Sequence, residues 1–142
     1  MKDYFDYWEK YTTDSRELLL KAFEYRNASR WRSYAKASDA VFPLEVFIPA
    51  EALLKKAESA AASGKDKDAA ARVNFLRKGF EHAKLCVKAG AALAGKASQT
   101  DIKKALDELV AFRRKTEDDF ISDFASIAWS EKAGWRLPQG YK

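Results

Sequence analysis

The sequence predicts an all-α fold, a bundle of about four to five helices with a long central helix and an irregular connector. Three observations carry this. Apolar residues recur at three- and four-residue spacings in segment after segment, the mark of amphipathic helices. No stretch has a strong period-two strand pattern. Residues from about Lys67 to Leu93 form one proline-free run with two apolar faces, as a helix packed between neighbours requires.

The elements follow in order. Tyr4, Tyr7, Trp8 and Tyr11 stand at i, i+3, i+4 and i+7, which places four rings on one side of a first helix. Asp14 followed by Glu17 has the spacing of an N-cap and its N3 partner, so a second helix is predicted from about Ser15 to Asn27. Periodicity is poor from Ala28 to Ile48, and Pro43 discourages a continuous helix there. That stretch reads as a partly helical connector with a short extended piece around Val41 to Ile48. Pro49 suits the first turn of the next helix, where its missing N–H costs nothing. Leu53, Leu54, Ala57 and Ala61 form its stripe, and Gly64 is expected to stop it in the left-handed conformation. The polar turn Lys65-Asp66-Lys67-Asp68 then leads into the central helix, so the two should pack as an antiparallel hairpin.

On the central helix, Val73, Leu76, Phe80, Ala83 and Val87 share one sector, and Phe75, Gly79, His82, Cys86 and Leu93 the adjacent one. Asn74, Arg77, Lys78, Glu81, Lys84 and Lys88 fill the remaining side, with Leu85 a large exception. Ser98 or Thr100 can cap the next helix, whose stripe is Ile102, Ala105, Leu106, Leu109 and Phe112. Phe120, Phe124 and Ile127 continue that stripe in phase, so one helix to about Glu131 is expected, unless the polar run Arg113 to Asp119 bends it. Gly134 and Pro138 end regular structure. The organisation is then one helical domain over residues 1–142: N-terminal helices in 1–27, a connector in 28–48, a hairpin plus long C-terminal helix in 49–136, and a tail in 137–142.

Composition narrows the function classes. With 47% hydrophobic and 33% charged residues, the chain has the balance of a globular domain. Its longest apolar run is far short of the ~20 residues that cross a bilayer, so no membrane partner is expected. Met1-Lys2-Asp3-Tyr4 begins no apolar signal segment, although a fragment of an exported or periplasmic parent would lack one too. One cysteine and one histidine are too few for a structural zinc site, so no metal and no cofactor are predicted. The net charge of +5 is concentrated between Arg16 and Lys36, where six basic residues face two acids. A nucleic-acid surface normally spreads further than one such segment.

Candidate chemistry is sparse. His82 and Cys86 lie four apart on one helix, so their proximity follows from spacing alone, and a helix interior offers no free amides for an oxyanion. Packing explains both better than catalysis. Glu117, Asp118 and Asp119 are the densest carboxylates, but adjacent helical residues diverge by about 100° and do not face one another across a cleft. Ion pairs with Arg113 and Arg114 explain them better. No catalytic residue is assigned. Residues 25–36 interleave basic and aromatic side chains, and Arg30, Trp31, Arg32 and Tyr34 are candidates to stack on and neutralise a ligand or partner, or simply to anchor the connector. Trp129 and Trp135 are candidates of the same kind, for a sugar ring or another domain. Asn27-Ala28-Ser29 also fits the glycosylation acceptor pattern.

Several segments together carry a resemblance: Val41-Phe42-Pro43 through Phe47-Ile48-Pro49, Ala52 to Ala57, Arg72 to Arg77 with Gly79, Glu81 and His82, then Ala111 to Arg114 and Trp129. Over roughly two-thirds of the chain they resemble the C-terminal helical region of bacterial glycoside-hydrolase-like proteins, a domain-of-unknown-function family distantly like α-glucuronidases. The resemblance implies a catalytic barrel outside this chain, since such a barrel takes ~250 residues. It implies an accessory role here, packing on that domain, shaping its cleft edge or mediating dimerisation, with carbohydrate as the ligand class. The expected partner is thus another domain of a larger protein or a second copy. The alternative is a stand-alone helical module binding protein or nucleic acid through residues 25–36.

Overall fold

A computed structural model describes residues 1–25 (backbone only for 22–25), 38–64, 66–95 and 97–119. The described residues are helical throughout their regular parts and contain no strand, so the chain is an all-α bundle. Among the described residues its helices are α1 (Lys2–Asp14), α2 (Arg16–Tyr25), α3 (Phe47–Ser63), α4 (Lys67–Ala94) and α5 (Gln99–Lys115), with residues 38–41 also helical and 3-10 turns at Leu44–Val46 and Glu117–Asp119.

α1 turns its aromatic side inward as the spacing predicts. Tyr4 is buried, and the Trp8 ring meets Phe47 and Phe42 edge-on. The two flanking tyrosines do polar work at the margin of the core. Tyr7 donates its hydroxyl to the Val46 carbonyl, and Tyr11 donates to that of Val41, each at 2.6 Å. Rings that bury their faces and satisfy their hydroxyls in this way tie α1 to the segment before α3. That segment differs from expectation: residues 44–46 form a 3-10 turn rather than an extended piece, and helix begins at Phe47. Pro43 sets the turn with φ −58°, the geometry its ring imposes. Asp14 is also not an N-cap; it is the last residue of α1 and pairs with Lys10 one turn back.

α3 and α4 form the antiparallel hairpin. α3 buries Phe47, Ala50, Leu54 and Ala57, with Pro49 in its first turn. It stops at Gly64, yet that glycine has φ −81° and ψ 161°, an extended conformation open to any residue. A Cβ there would meet the Ala60 and Ala61 carbonyl oxygens at 3.5 Å and the Asp66 nitrogen at 4.0 Å, all ordinary contacts. The stop therefore comes from the turn that follows, where Asp66 caps α4.

α4 is the spine. Val73, Phe80 and Val87 are buried against Tyr4 of α1 and the apolar stripe of α3, with Leu76 and Ala83 beside them. Cys86 and Ala89 belong to a second cluster with Ile102, Ala105, Leu106 and Leu109 of α5, flanked by Leu85, Ala92 and Leu93. The second face is rotated from the predicted one. At about 100° per residue, Leu85, Ala89 and Ala92 lie on one strip, and α5 settles there. Leu85 is thus packed, while Phe75, expected inside, is 52% exposed.

The polar side of α4 clamps both neighbours. Arg77 Nε donates to Glu58 at 2.6 Å and its Nη2 donates to the same carboxylate at 2.9 Å, while Lys84 reaches Glu51 at 3.3 Å. Toward α5, Lys88 pairs with Glu108 at 2.5 Å and Lys78 with Asp119 at 2.7 Å. In both sets rising numbers on α4 meet falling numbers on its partner, the signature of antiparallel packing. α5 starts as predicted, with Ser98 Oγ accepting from the Asp101 N–H at 3.1 Å. It does not run on past Lys115: buried Thr116 closes the last turn, its N–H and hydroxyl both directed at the Phe112 carbonyl, and a 3-10 turn follows. The bend, not the unbroken helix, is what the structure shows.

Candidate functional site

Two places on α4 merit a functional reading, one polar and buried, the other apolar and open. The polar one joins α4 to α5. His82 and Cys86 project from successive turns of α4 and Arg113 from the last turn of α5. Arg113 Nε donates to His82 Nε2 at 2.9 Å, and Arg113 Nη2 donates to Cys86 Sγ at 3.4 Å. Cys86 Sγ lies 3.6 Å from the same imidazole nitrogen. The His82 ring stacks on Phe112 at a centroid distance of 6.2 Å.

The hydrogen bonds fix the chemistry. An arginine donor on Nε2 means that this nitrogen carries the lone pair and Nδ1 the proton. Burial, and then the nearby Arg113 charge, push the His82 pKa down to about 4. The imidazole is therefore neutral at ordinary pH, as a general base requires. But its lone pair is already filled by a guanidinium, and Cys86 is only 5% exposed. A thiol–imidazole dyad needs that lone pair for the thiol proton and a path for substrate. Neither is available. The cluster is built as an interhelical polar contact, and the sequence-based view of His82 and Cys86 as packing residues fits it.

Arg113 is the member that sequence reasoning missed, having placed it among solvated charges paired to the acids after it. It is 3% exposed. The signal was present: Arg113 stands four residues after Leu109 and seven after Leu106, squarely on the buried stripe. Asp119, the last of the three clustered acids, pairs with Lys78 of α4. Among the described residues no group of three or more His, Cys, Asp or Glu is placed to hold a metal ion.

The apolar place is a groove of about 270 Å³ between α1, the segment before α3, and α4. Tyr4, Trp8, Phe42 and Phe47 line one side; Phe75, Leu76, Gly79, Phe80 and Ala83 line the other. Gly79 forms part of its α4 wall, where an added Cβ would meet nothing within 4 Å. Arg77 and Lys84 lie over the Phe80 ring at 5.3 and 5.4 Å from its centroid, holding that ring at the groove's inner edge.

Of the residues singled out from sequence as ligand or partner contacts, Arg30, Trp31, Arg32, Tyr34, Trp129 and Trp135 lie outside the described residues. No helix among the described residues is long and apolar enough to cross a membrane. No protein-family model, curated protein or solved structure matches this chain.

Proposed function

We propose that this chain is a non-catalytic helical accessory domain of a carbohydrate-active, glycoside-hydrolase-like protein, packing on a catalytic domain that the chain does not contain. The observation that carries the non-catalytic half is the Arg113–His82 hydrogen bond, which occupies the chain's one imidazole lone pair. The carboxylates offer no substitute. Glu117, Asp118 and Asp119 share a single turn, with Asp119 committed to Lys78, so no two of them confront each other across a cleft.

The accessory half rests on the resemblance and on what its segments do. Ala52 to Ala57, Arg72 to His82 and Ala111 to Arg114 are the stretches that meet in the α3–α4 and α4–α5 interfaces, so a family sharing them would share this bundle. On the Val41 to Pro49 approach, Leu44 and Ile48 are 43% and 69% exposed. Large apolar side chains held out in this way suit contact with a neighbouring domain.

The test is to co-express residues 1–142 with the polypeptide that the same gene encodes upstream and to weigh the product by sedimentation. A stoichiometric complex with a glycosidase-like barrel is expected, and Ile48→Asp should weaken it. A gene with no such domain, or a barrel that sediments apart from this chain, overturns the proposal.

A further inference from the structure

α1 and α4 both rest on α3, and the groove between them is open on its outer side. Half-exposed rings stand at its two rims. Phe75 is the one on α4; on α1 it is Phe5, about 100° round the helix from Tyr4 on the side of Trp8. One turn after Phe75, Gly79 leaves a gap in the α4 wall, where an added Cβ would meet nothing within 4 Å. Glycine inside a helix is destabilising relative to alanine, and no described neighbour makes it necessary here. A knob and a hole thus sit one turn apart on one face of one helix. That shape fits a copy of itself, because about a two-fold axis every contact of residue i with residue j is repeated as j with i.

The charges around this face agree with the same arrangement. Exposed Arg72 lies within about 60° of both Phe75 and Gly79 on α4. On α1, Tyr4 meets Phe80, and Trp8, one turn later, meets Phe47 at the start of α3. That start lies toward the end of α4, where Glu51 pairs with Lys84. α1 therefore runs in the same direction as α4, and exposed Glu9 stands about five residues beyond the level of Phe80. Two copies of α4 set antiparallel, with Phe75 of each over Gly79 of the other, have position 77 as their midpoint. The partner's Arg72, five residues before that midpoint, then lies opposite position 82, five after it. Helical side chains lean toward their own N-terminus, which carries the partner's guanidinium onward to the level of Glu9. Neither Arg72 nor Glu9 has an ion-pair partner among the described residues.

We infer that the chain forms a two-fold dimer through this face, each Phe75 seated over the partner's Gly79 and each Arg72 paired with the partner's Glu9. The inference is independent of the carbohydrate reading, and Ile48→Asp, which tests that reading, alters none of these four residues. Area sets the strength. The exposed halves of Phe5 and Phe75 in two copies come to about 400 Å², against the ~1,600 Å² of a standard stable interface. The dimer is therefore a weak one, with a Kd on the order of 10–100 μM.

The experiment is sedimentation equilibrium of the full chain from about 5 to about 500 μM, with circular dichroism of each variant. A monomer–dimer equilibrium is expected. Gly79→Leu, which fills the hole, should weaken it at least tenfold while the thermal midpoint of the isolated chain holds or rises. Phe75→Ser, at a half-exposed position, should weaken it too without loss of helix. Each ion pair occurs twice in the dimer, so Arg72→Glu and Glu9→Arg should each cost roughly tenfold in Kd. Combined in one chain they restore the pair with its charges exchanged, and Kd should return to within about threefold of the unaltered value. A monomer throughout the concentration range would show that a small ligand or another protein, not a second copy, is what this groove takes, and would overturn the inference. So would a larger oligomer, a dimer indifferent to Gly79→Leu, or a double charge exchange that restores nothing.

Discussion

Arg113 Nε donates a 2.9 Å hydrogen bond to Nε2 of His82, so the last turn of α5 is fastened to the middle of α4 by a cation and a neutral imidazole. The geometry is stable only while His82 stays neutral. A proton on Nε2 would remove the acceptor and set two positive groups against each other in a partly buried space.

His82 is the only histidine in the chain, so its ring protons can be followed by NMR without assignment ambiguity. The expected titration midpoint is about 4, because burial and then Arg113 both disfavour the charged form. Arg113→Gln should move the midpoint upward, but only part of the way to the ordinary histidine value near 6.5, because burial is the larger cause and remains. A midpoint already near 6.5 in the unaltered chain would show that the ring is open to water and unbonded.

The same shift predicts a pH dependence of folding. Unfolded His82 binds a proton near pH 6.5 and folded His82 only near 4, so between those values the unfolded state holds more protons. Stability is therefore complete above about pH 6.5 and declines as pH falls toward 4, by on the order of 2–3 kcal/mol at most. Urea denaturation at pH 7, 5.5 and 4.5 measures it. His82→Gln keeps an acceptor for Arg113 without titrating, so its profile should be flatter over this window. Equal losses in both proteins would place the acid sensitivity in other groups.

Arg77 and Glu58 are the second clamp, and their effect belongs to the α3–α4 interface. The guanidinium makes two parallel bonds to one carboxylate, is 19% exposed and also reaches Glu81 at 3.2 Å. The Arg77 hydrogen bond, more than any other cause, holds the Glu58 carboxyl below the usual range. Fork-to-carboxylate geometry is specific to arginine, so Arg77→Lys should cost about 1 kcal/mol despite keeping the charge. A double-mutant cycle of Arg77→Lys and Glu58→Gln should show coupling of about 0.5–1 kcal/mol at low salt, discounted from the buried-pair range because Glu58 is partly exposed. Purely additive effects would mean the pair is a surface contact without energetic weight. Since folded Glu58 is the stronger acid, this contribution is present above the ordinary carboxylate range and is lost as pH falls below it.

How much of this was legible in the sequence depended on whether periodicity or geometry decided it. The aromatic face of α1, the apolar strip of α3, the extent of α4 and the Ser98 cap all follow from spacing, because each is a local property of one helix. The rotation of α5 about α4 is not local. Leu85 and Phe75 exchanged places because α5 docks on the Leu85–Ala89–Ala92 strip, and two adjacent apolar sectors on one helix do not say which will be taken. The short pieces were misread for a related reason: a 3-10 turn at Leu44–Val46 is too brief to show any period. For the candidate site, the His82–Cys86 proximity was written in their spacing, whereas the filled lone pair depended on an arginine 31 residues away.

α4, which carries one partner of each clamp, is capped at its start by Asp66, whose Oδ1 accepts from the N–H groups of Asp68 at 2.9 Å and Ala69 at 3.0 Å. These are two of the four amides that an α-helix leaves without partners at its start. Asp66→Ala removes the acceptor and should cost about 1 kcal/mol, a drop of roughly 2–4 °C in Tm for a domain of this size. Asp66→Asn keeps an oxygen in place and loses only the attraction between a carboxylate and the helix start, about 0.3–1 kcal/mol. The close Asp68 charge in the same turn should bring that loss to the low end, since removing one of two neighbouring negative charges also relieves their repulsion. The order of stability is therefore wild type, then Asn, then Ala, read from urea midpoints at constant slope. Amide exchange supplies the local reading: the Asp68 and Ala69 N–H groups should exchange faster in the Ala variant, while that of Val87, deep in the same helix, changes only with global stability. If Asn and Ala cost the same, the hydrogen bonds at Asp66 are not what starts α4, and the turn's backbone geometry must be.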